Sequence, residues 1–360
     1  MNGCLVIKNI LVISLLGGVM TGCNAIEVED NYTSNHYKNG KFVNEEVPYD
    51  VKLSEMPKLI WEYISNKSKE GYPKEKIPIV KLTKNDLVQL DDYSVIRLCH
   101  STLLYKLENE FILTDPVFSD RASPLSFIGA KKFHENPIEI EELPSIKAVI
   151  ISHDHYDHLD EYSIKKLRNK VEMFYTTLKV GAILESFGVD KSKIVELDWW
   201  ESIDVGNIRL TAASAQHFSG RSFFNYRETL WSSWVIKAPK ANLYFGADSG
   251  YFGGFKEIGG KYGPFDMTFL EVGAYNELWK AGHMMPQESV QAHLDLNGKY
   301  MFPIHNGSFD LALHSWREPF ERVDSEAIKK NVSILYPKMG ESISLIKENN
   351  TSKWWSKNTM

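Results

Sequence analysis

A run of apolar residues, Ala148-Val149-Ile150-Ile151, passes through Ser152 directly into His153-Asp154-His155-Tyr156-Asp157-His158. A short apolar run closed by a polar turn is the pattern of a buried β-strand and the loop that leaves it. In an extended turn alternate residues share a face, so His153 and His155 point the same way. Asp157 and His158 then present to a second point a few ångströms off. Imidazole nitrogens and carboxylate oxygens are the donors that zinc and related divalent cations take. A lone His in a loop is commonplace. The H-x-H-x-D-H spacing directly behind an apolar strand instead points to metal binding.

More donors stand at other strand ends. His217 follows the run 208–216, Asp248 follows 243–247 and His305 follows 300–304, each shortly before Gly or Ser. Loops carried at the strand ends of a rigid scaffold are where α/β proteins build sites. Together with His153, His155, Asp157 and His158 these make a ligand set large enough for two metals. Strand-like runs occur at 94–97, 102–106, 111–114, 148–152, 173–176, 208–212, 234–237, 243–246, 267–271, 300–304 and 332–335. Helical patterns intervene at 162–169, 178–187, 286–296 and 316–330. Strands and helices interleaved over residues 86–345 predict one layered α/β domain.

The N-terminus reads as an address. Lys8 precedes an apolar run over 10–20, and small residues follow before Cys23. The run is shorter than the ~20 apolar residues that span a bilayer and fits the apolar region of a secretory signal over 1–22. Met20-Thr21-Gly22-Cys23 resembles a bacterial lipobox, in which the Cys is acylated and anchors the exported protein to a membrane of the cell envelope. An ordinary signal peptide with an incidental Cys is the alternative. Residues 23–47 are polar and read as a tether. Residues 48–85 read as an extension packed on the body, and 346–360 as a C-terminal tail. With Cys23 lipidated, Cys99 has no disulfide partner and is expected to be a buried small hydrophobe. A net charge of -6 argues against a nucleic-acid partner. Oligomeric state is not legible.

The ligand pattern resembles that of the metallo-β-lactamase superfamily, over roughly residues 86–345. It is most similar to the branch that contains N-acylphosphatidylethanolamine-hydrolysing phospholipase D. TDPVFSDRASP (114–124), ELPSIKAVIISHDHYDHLD (142–160), AQHFSGR (215–221), TLWSSWVI (229–236), YFGADSGY (244–251), GAY (273–275) and HMMPQESV (283–290) carry the likeness. The resemblance implies an αββα sandwich, two β-sheets face to face with helices outside and the site at one edge between the sheets. It implies that His153, His155 and His217 hold a first metal, that Asp157, His158 and His305 hold a second, and that Asp248 bridges them. Zinc is the implied metal, with iron and manganese open by ligand type. There are departures. Asn306 stands where relatives often have Trp, Gly282 replaces a polar residue, and the family's Pro-Ile-Gly-Ala-Tyr segment reads Glu271-Val272-Gly273-Ala274-Tyr275.

Two bridged divalent ions lower the pKa of a shared water towards about 7 and clamp attacking and leaving oxygens. The resemblance then implies attack of a metal-bridged hydroxide on a phosphodiester of a phospholipid or another anionic ester. Asp248 would orient the hydroxide. His283 would donate a proton to the leaving oxygen or a hydrogen bond to substrate, unless it only starts a helix before Pro286. The resemblance makes Tyr156 a substrate contact, and the alternative is a packing aromatic. Asp154 and Asp160 are candidates to fix the ligand imidazoles. The stretch 218–226, with Arg221 among aromatics, could meet lipid or pack on the body. A lactonase or other esterase of the same superfamily is the first rival, and a non-catalytic surface protein stapled by metal is the second.

Overall fold

Apolar runs without polar alternation demand burial on both faces of a strand, and that is where they lie. A computed structural model describes residues 34–48, 56–222 and 224–356. In chain order these form a small hairpin, β1 (Tyr37–Lys38) and β2 (Lys41–Phe42), then helices α1 (Met56–Asn66) and α2 (Lys84–Val88). A meander follows in β3 (Ser94–Cys99), β4 (Thr102–Leu107) and β5 (Glu110–Thr114), then a second small hairpin, β6 (Arg121–Ala122) and β7 (Ala130–Lys131). Next come β8 (Ile146–Ile150), α3 (Glu161–Leu167), β9 (Val171–Thr177), α4 (Gly181–Ser186) and β10 (Ile194–Leu197). The second half holds β11 (Ser202–Val205), β12 (Ile208–Ala213), β13 (Ser233–Ala238), β14 (Ala241–Phe245), α5 (Gly254–Tyr262) and β15 (Phe265–Glu271). It ends with α6 (Pro286–Asp295), β16 (Gly298–Ile304), α7 (Glu318–Lys330) and β17 (Ser342–Ser344).

Two mixed sheets result, in the orders β10-β9-β8-β5-β4-β3-β17 and β11-β12-β13-β14-β15-β16. Side-chain alternation sorts each strand between layers. Leu103, Tyr105 and Leu107 of β4 enter the core between the sheets, with Leu243 and Phe245 of β14 opposite. Leu104 of β4 turns outward into the cluster that holds Ile164 and Leu167 of α3 and Leu184 of α4. Tyr244 of β14 turns outward against Phe255 of α5, Val290 of α6 and Phe320 of α7. The architecture is the αββα sandwich. Within β5-β8-β9-β10 and within β14-β15-β16 the strands run parallel, so their C-terminal ends share one edge of each sheet.

Three expectations need correction. The tether expected over 23–47 is bound to the body from residue 34 on. Phe42 is fully buried, and Asn44 Nδ2 donates to the His217 carbonyl while its Oδ1 accepts from His217 N–H. The expected tail over 346–360 packs Trp354 and Trp355 against Phe320 of α7. The stretch 332–335 is not a strand. It makes a single bridge, Ile334 to Met301, that covers the outer edge of β16. The readings on residues 1–22 and Cys23 lie outside the described residues. Cys99 is buried and free. No helix among the described residues is long and apolar enough to cross a membrane.

Candidate metal centre

The strand ends converge. His153 to His158 leave β8, His217 follows β12, Asp248 follows β14 and His305 follows β16. Donor atoms of His153, His155, His217 and Asp248 lie within 4.8 Å of one another, as do those of His100, Asp157, His158 and His305. Asp248 joins the two groups. Its Oδ2 is 3.8 Å from Nε2 of both His153 and His217, and 3.1 Å from Nε2 of both His158 and His305. Asp157 Oδ2 stands 3.3 Å from His305 Nε2 and 3.7 Å from His158 Nε2. All seven residues expected to ligate metal therefore meet between the two sheets.

Neighbouring groups decide which imidazole nitrogen faces inward. His158 Nδ1–H donates to Asp115 Oδ2 at 2.7 Å, and His217 Nδ1–H donates to the Gly282 carbonyl at 2.8 Å. The Ser152 hydroxyl gives its hydrogen to Asp115 Oδ2 at 2.6 Å, so it accepts from His153 Nδ1–H at 2.9 Å. Each of these rings consequently turns a bare Nε2 lone pair toward Asp248. His155 instead brings Nδ1 to 2.9 Å from His153 Nε2 and 3.3 Å from His217 Nε2.

That donor set fits cations. Lone pairs converging at such distances repel unless a positive centre stands among them. Nε2 of His158, Nε2 of His305 and Oδ1 of Asp248 are buried without a hydrogen-bond partner. Electrostatics agree. Burial and neighbouring imidazoles hold His153 well below the usual histidine range, so it stays a neutral donor. Burial also opposes charge on His158 and His305, but Asp248 and Asp157 outweigh it and raise His305 to about 9. The same imidazoles keep both carboxyls ionised despite burial. A spot flanked by two buried carboxylates calls for positive charge.

The backbone is shaped for this. His305 sits at φ 60° and Ala247, before Asp248, at φ 48°, left-handed conformations that cost a non-glycine residue about 1 kcal/mol or more. Gly273 is required beside them, since a Cβ there would lie 2.0 Å from the His305 carbonyl oxygen. Fully buried Arg97 donates to the carbonyls of His100, Pro303 and Asn306 and to Asn306 Oδ1. Asn306 thus ties the end of β16 to β3.

The supporting residues differ from those expected. Asp154 accepts from Gly220 N–H, and Asp160 accepts from Ser119 N–H and the Ser163 hydroxyl, so both fix loops and neither touches a ligand imidazole. Asp115 and Ser152 do that work. Tyr156 gives its hydroxyl hydrogen to the Arg221 carbonyl at 3.0 Å, and the Arg221 guanidinium lies 4.0 Å over its ring. These contacts tie Tyr156 to Arg221. His283 does reach the centre, with Nδ1 2.7 Å from Glu271 Oε2. Sequence reasoning missed His100, whose Nε2 is 3.2 Å from Asp157 Oδ2. Its only signal was a His between two strand-like runs.

Known proteins match this picture. Residues 110–306 match the beta-lactamase superfamily domain. An uncharacterized protein of Mycobacterium tuberculosis is 38% identical over 330 residues, covering 89% of this chain and 87% of its own. N-acyl-phosphatidylethanolamine-hydrolyzing phospholipase D 1 of Caenorhabditis elegans is 33% identical over 297 residues, covering 76% of this chain and 83% of its own. Among solved structures, the metallo hydrolase Igni18 of Ignicoccus hospitalis shares the fold with a TM-score of 0.54 at 17% identity, over 69% of this chain and 97% of its own. Sheets, strand-end donors and relatives lead to one assignment: the chain belongs to the metallo-β-lactamase superfamily and is a metal-dependent hydrolase related to N-acyl-phosphatidylethanolamine-hydrolysing phospholipase D.

Proposed function

We propose that this hydrolase cleaves phosphodiester bonds of phospholipids with two divalent cations, zinc by preference, while anchored through Cys23 in a bacterial cell envelope. The observation that carries the reading is the pair of donor groups sharing Asp248. His153, His155 and His217 would hold one cation, Asp157, His158 and His305 the other, and Asp248 both. Bound there, the cations supply Lewis acidity and lower the pKa of water. The chain's own residues do the rest. Asp115, Ser152 and the Gly282 carbonyl keep the imidazole lone pairs aimed inward. His283, a partly exposed imidazole beside the cluster, faces substrate and serves the proton that the leaving oxygen needs. The activity for which the nematode relative is named supports a lipid phosphodiester as substrate.

The test is turnover of N-acylphosphatidylethanolamine in mixed micelles by a soluble form starting after Cys23, with metal content quantified, beside Asp248→Asn. Release of N-acylethanolamine, lost in the variant and on chelation, is the expected result. No release from protein carrying both metals would sink the lipid reading. Anchoring is tested separately in the full chain. Wild type should sediment with membranes and Cys23→Ser should not, while soluble wild type would overturn the anchor.

A further inference from the structure

Glu271 occupies the position where the resembled segment has Pro, at the C-terminal end of β15. Its side chain is fully buried. A buried carboxylate is costly unless its oxygens are satisfied, and here each has a defined task. Oε1 accepts from Ser249 N–H at 3.1 Å and from Met284 N–H at 3.0 Å. Oε2 accepts from His283 Nδ1–H at 2.7 Å. The backbone just after Asp248, the backbone just after His283 and the His283 ring are thereby fixed to one carboxylate.

His283 stands over the junction of the two donor groups. Its ring centroid is 5.1 Å from that of His217 and 5.3 Å from that of His305. Its side chain keeps 15% of its surface exposed, against 0–1% for His217 and His305, so it is the imidazole that solvent and substrate can reach.

We propose that Glu271 is a positioning residue that holds His283 in the Nδ1–H tautomer, with Nε2 free to shuttle a proton between attacking water and leaving oxygen. The inference rests on the hydrolytic reading of this site and deepens it. As the water oxygen bonds to phosphorus, a water proton passes to Nε2. As the bond from phosphorus to the leaving oxygen breaks, the electron pair stays on that oxygen and the Nε2 proton joins it. His283 returns to its starting form, and Glu271 supports the transient imidazolium without itself taking the proton.

Glu271→Gln tests this because the two backbone donors dictate how the amide sits. Its oxygen has to face Ser249 and Met284 N–H, so its NH₂ faces His283 Nδ1. His283 must then accept at Nδ1 and carry its hydrogen on Nε2, which removes the proton acceptor. On a phosphodiester with an alkyl leaving group, kcat should fall about 10²–10³-fold, with KM and metal content unchanged. The loss should be smaller on a p-nitrophenyl phosphodiester, whose leaving oxygen needs no proton, because only the transfer from the attacking water is then impaired. Glu271→Gln combined with His283→Ala should be no worse than His283→Ala alone. Equal losses on both leaving groups, or additive losses in the double variant, would overturn the proposal. ¹⁵N shifts of the His283 ring give a readout that needs no turnover. The Nδ1–H tautomer is expected in the wild type and the Nε2–H tautomer in Glu271→Gln. An Nε2–H tautomer in the wild type defeats the idea whatever the activity. If the wild type cleaves carboxylic esters and no phosphodiester, the phosphodiester reading fails by itself. The dyad is then judged on alkyl against p-nitrophenyl carboxylic esters.

Discussion

Asp115 shows how much of this site rests on a residue that is no ligand. It follows β5 at φ 36° and is fully buried. Burial pushes its carboxyl up, and contacts with His158 and Ser152 offset part of that. Its Oδ1 accepts from Ser152 N–H at 2.8 Å, so in Asp115→Asn the amide oxygen stays there and the NH₂ faces His158 Nδ1. His158 would then carry its hydrogen on Nε2, where its lone pair should serve a cation. Metal affinity is expected to fall about 10–100-fold, read by competition with a chromogenic chelator. Unchanged affinity would mean that His158 is no ligand. The seven residues expected to ligate metal were legible as a cluster because each follows an apolar run at a strand end. Asp115, His100 and Glu271 were not, because their roles arise from contacts that bring distant segments together: Asp115 to His158, His100 to Asp157, Glu271 to His283. Glu271 did leave a trace in the sequence, as a departure from the resembled segment whose meaning only the fold supplies.

The central strands, buried on both faces, stood out as apolar runs, whereas elements with weaker patterns did not. Of the four residues of β11, three alternate between exposed and half-buried, and β17 has three residues, so neither makes a clear run. Helix α5 holds Gly254, Gly259 and Gly260, which weaken any helical pattern. The reason at Gly259 is packing, since a Cβ there would lie 2.1 Å from the Asp295 carbonyl oxygen at the end of α6. Helix α6 was legible from Pro286 onward, and its docking sets a pH dependence. His293 is buried on it and pairs Nδ1 with the Thr268 hydroxyl of β15 at 2.8 Å. Burial holds its pKa down to about 4 from 6.5. The folded form therefore binds fewer protons than the unfolded form between those values. The contribution of neutral His293 is fully present above 6.5 and is lost as pH falls toward 4, on the order of 3 kcal/mol in all. Urea unfolding of metal-free protein should show stability declining across that window, and His293→Gln should decline less steeply. Parallel curves for the two proteins would show that α6 does not hold the ring dry.

At the scale of the molecule, the donors come from both layers of the sandwich. His153, His155, Asp157 and His158 follow β8 of the seven-stranded sheet, whereas His217, Asp248 and His305 follow strands of the six-stranded one. A cation held among them would tie the sheets together at this edge, and Cys99, free among the described residues, supplies no disulfide that does so. Arg97 supports the same seam by carrying four hydrogen bonds from β3 to the His100 loop and the end of β16. Anything that binds only the folded state adds RT ln(1 + [L]/Kd), about 2.7 kcal/mol for each site at 100 times its Kd. Two sites would add roughly 5 kcal/mol, which at about 2 °C per kcal/mol for a large domain is a Tm shift near 10 °C. Chelation should therefore lower Tm by roughly 5–10 °C in a reversible scan, and readdition of zinc should restore it. Asp248→Asn, altered at the donor that lies between both groups, should start from the lower Tm and respond weakly to zinc. Wild type with one Tm in both states would mean that the cations do not bridge the sheets, and the shared position of Asp248 would then need another explanation.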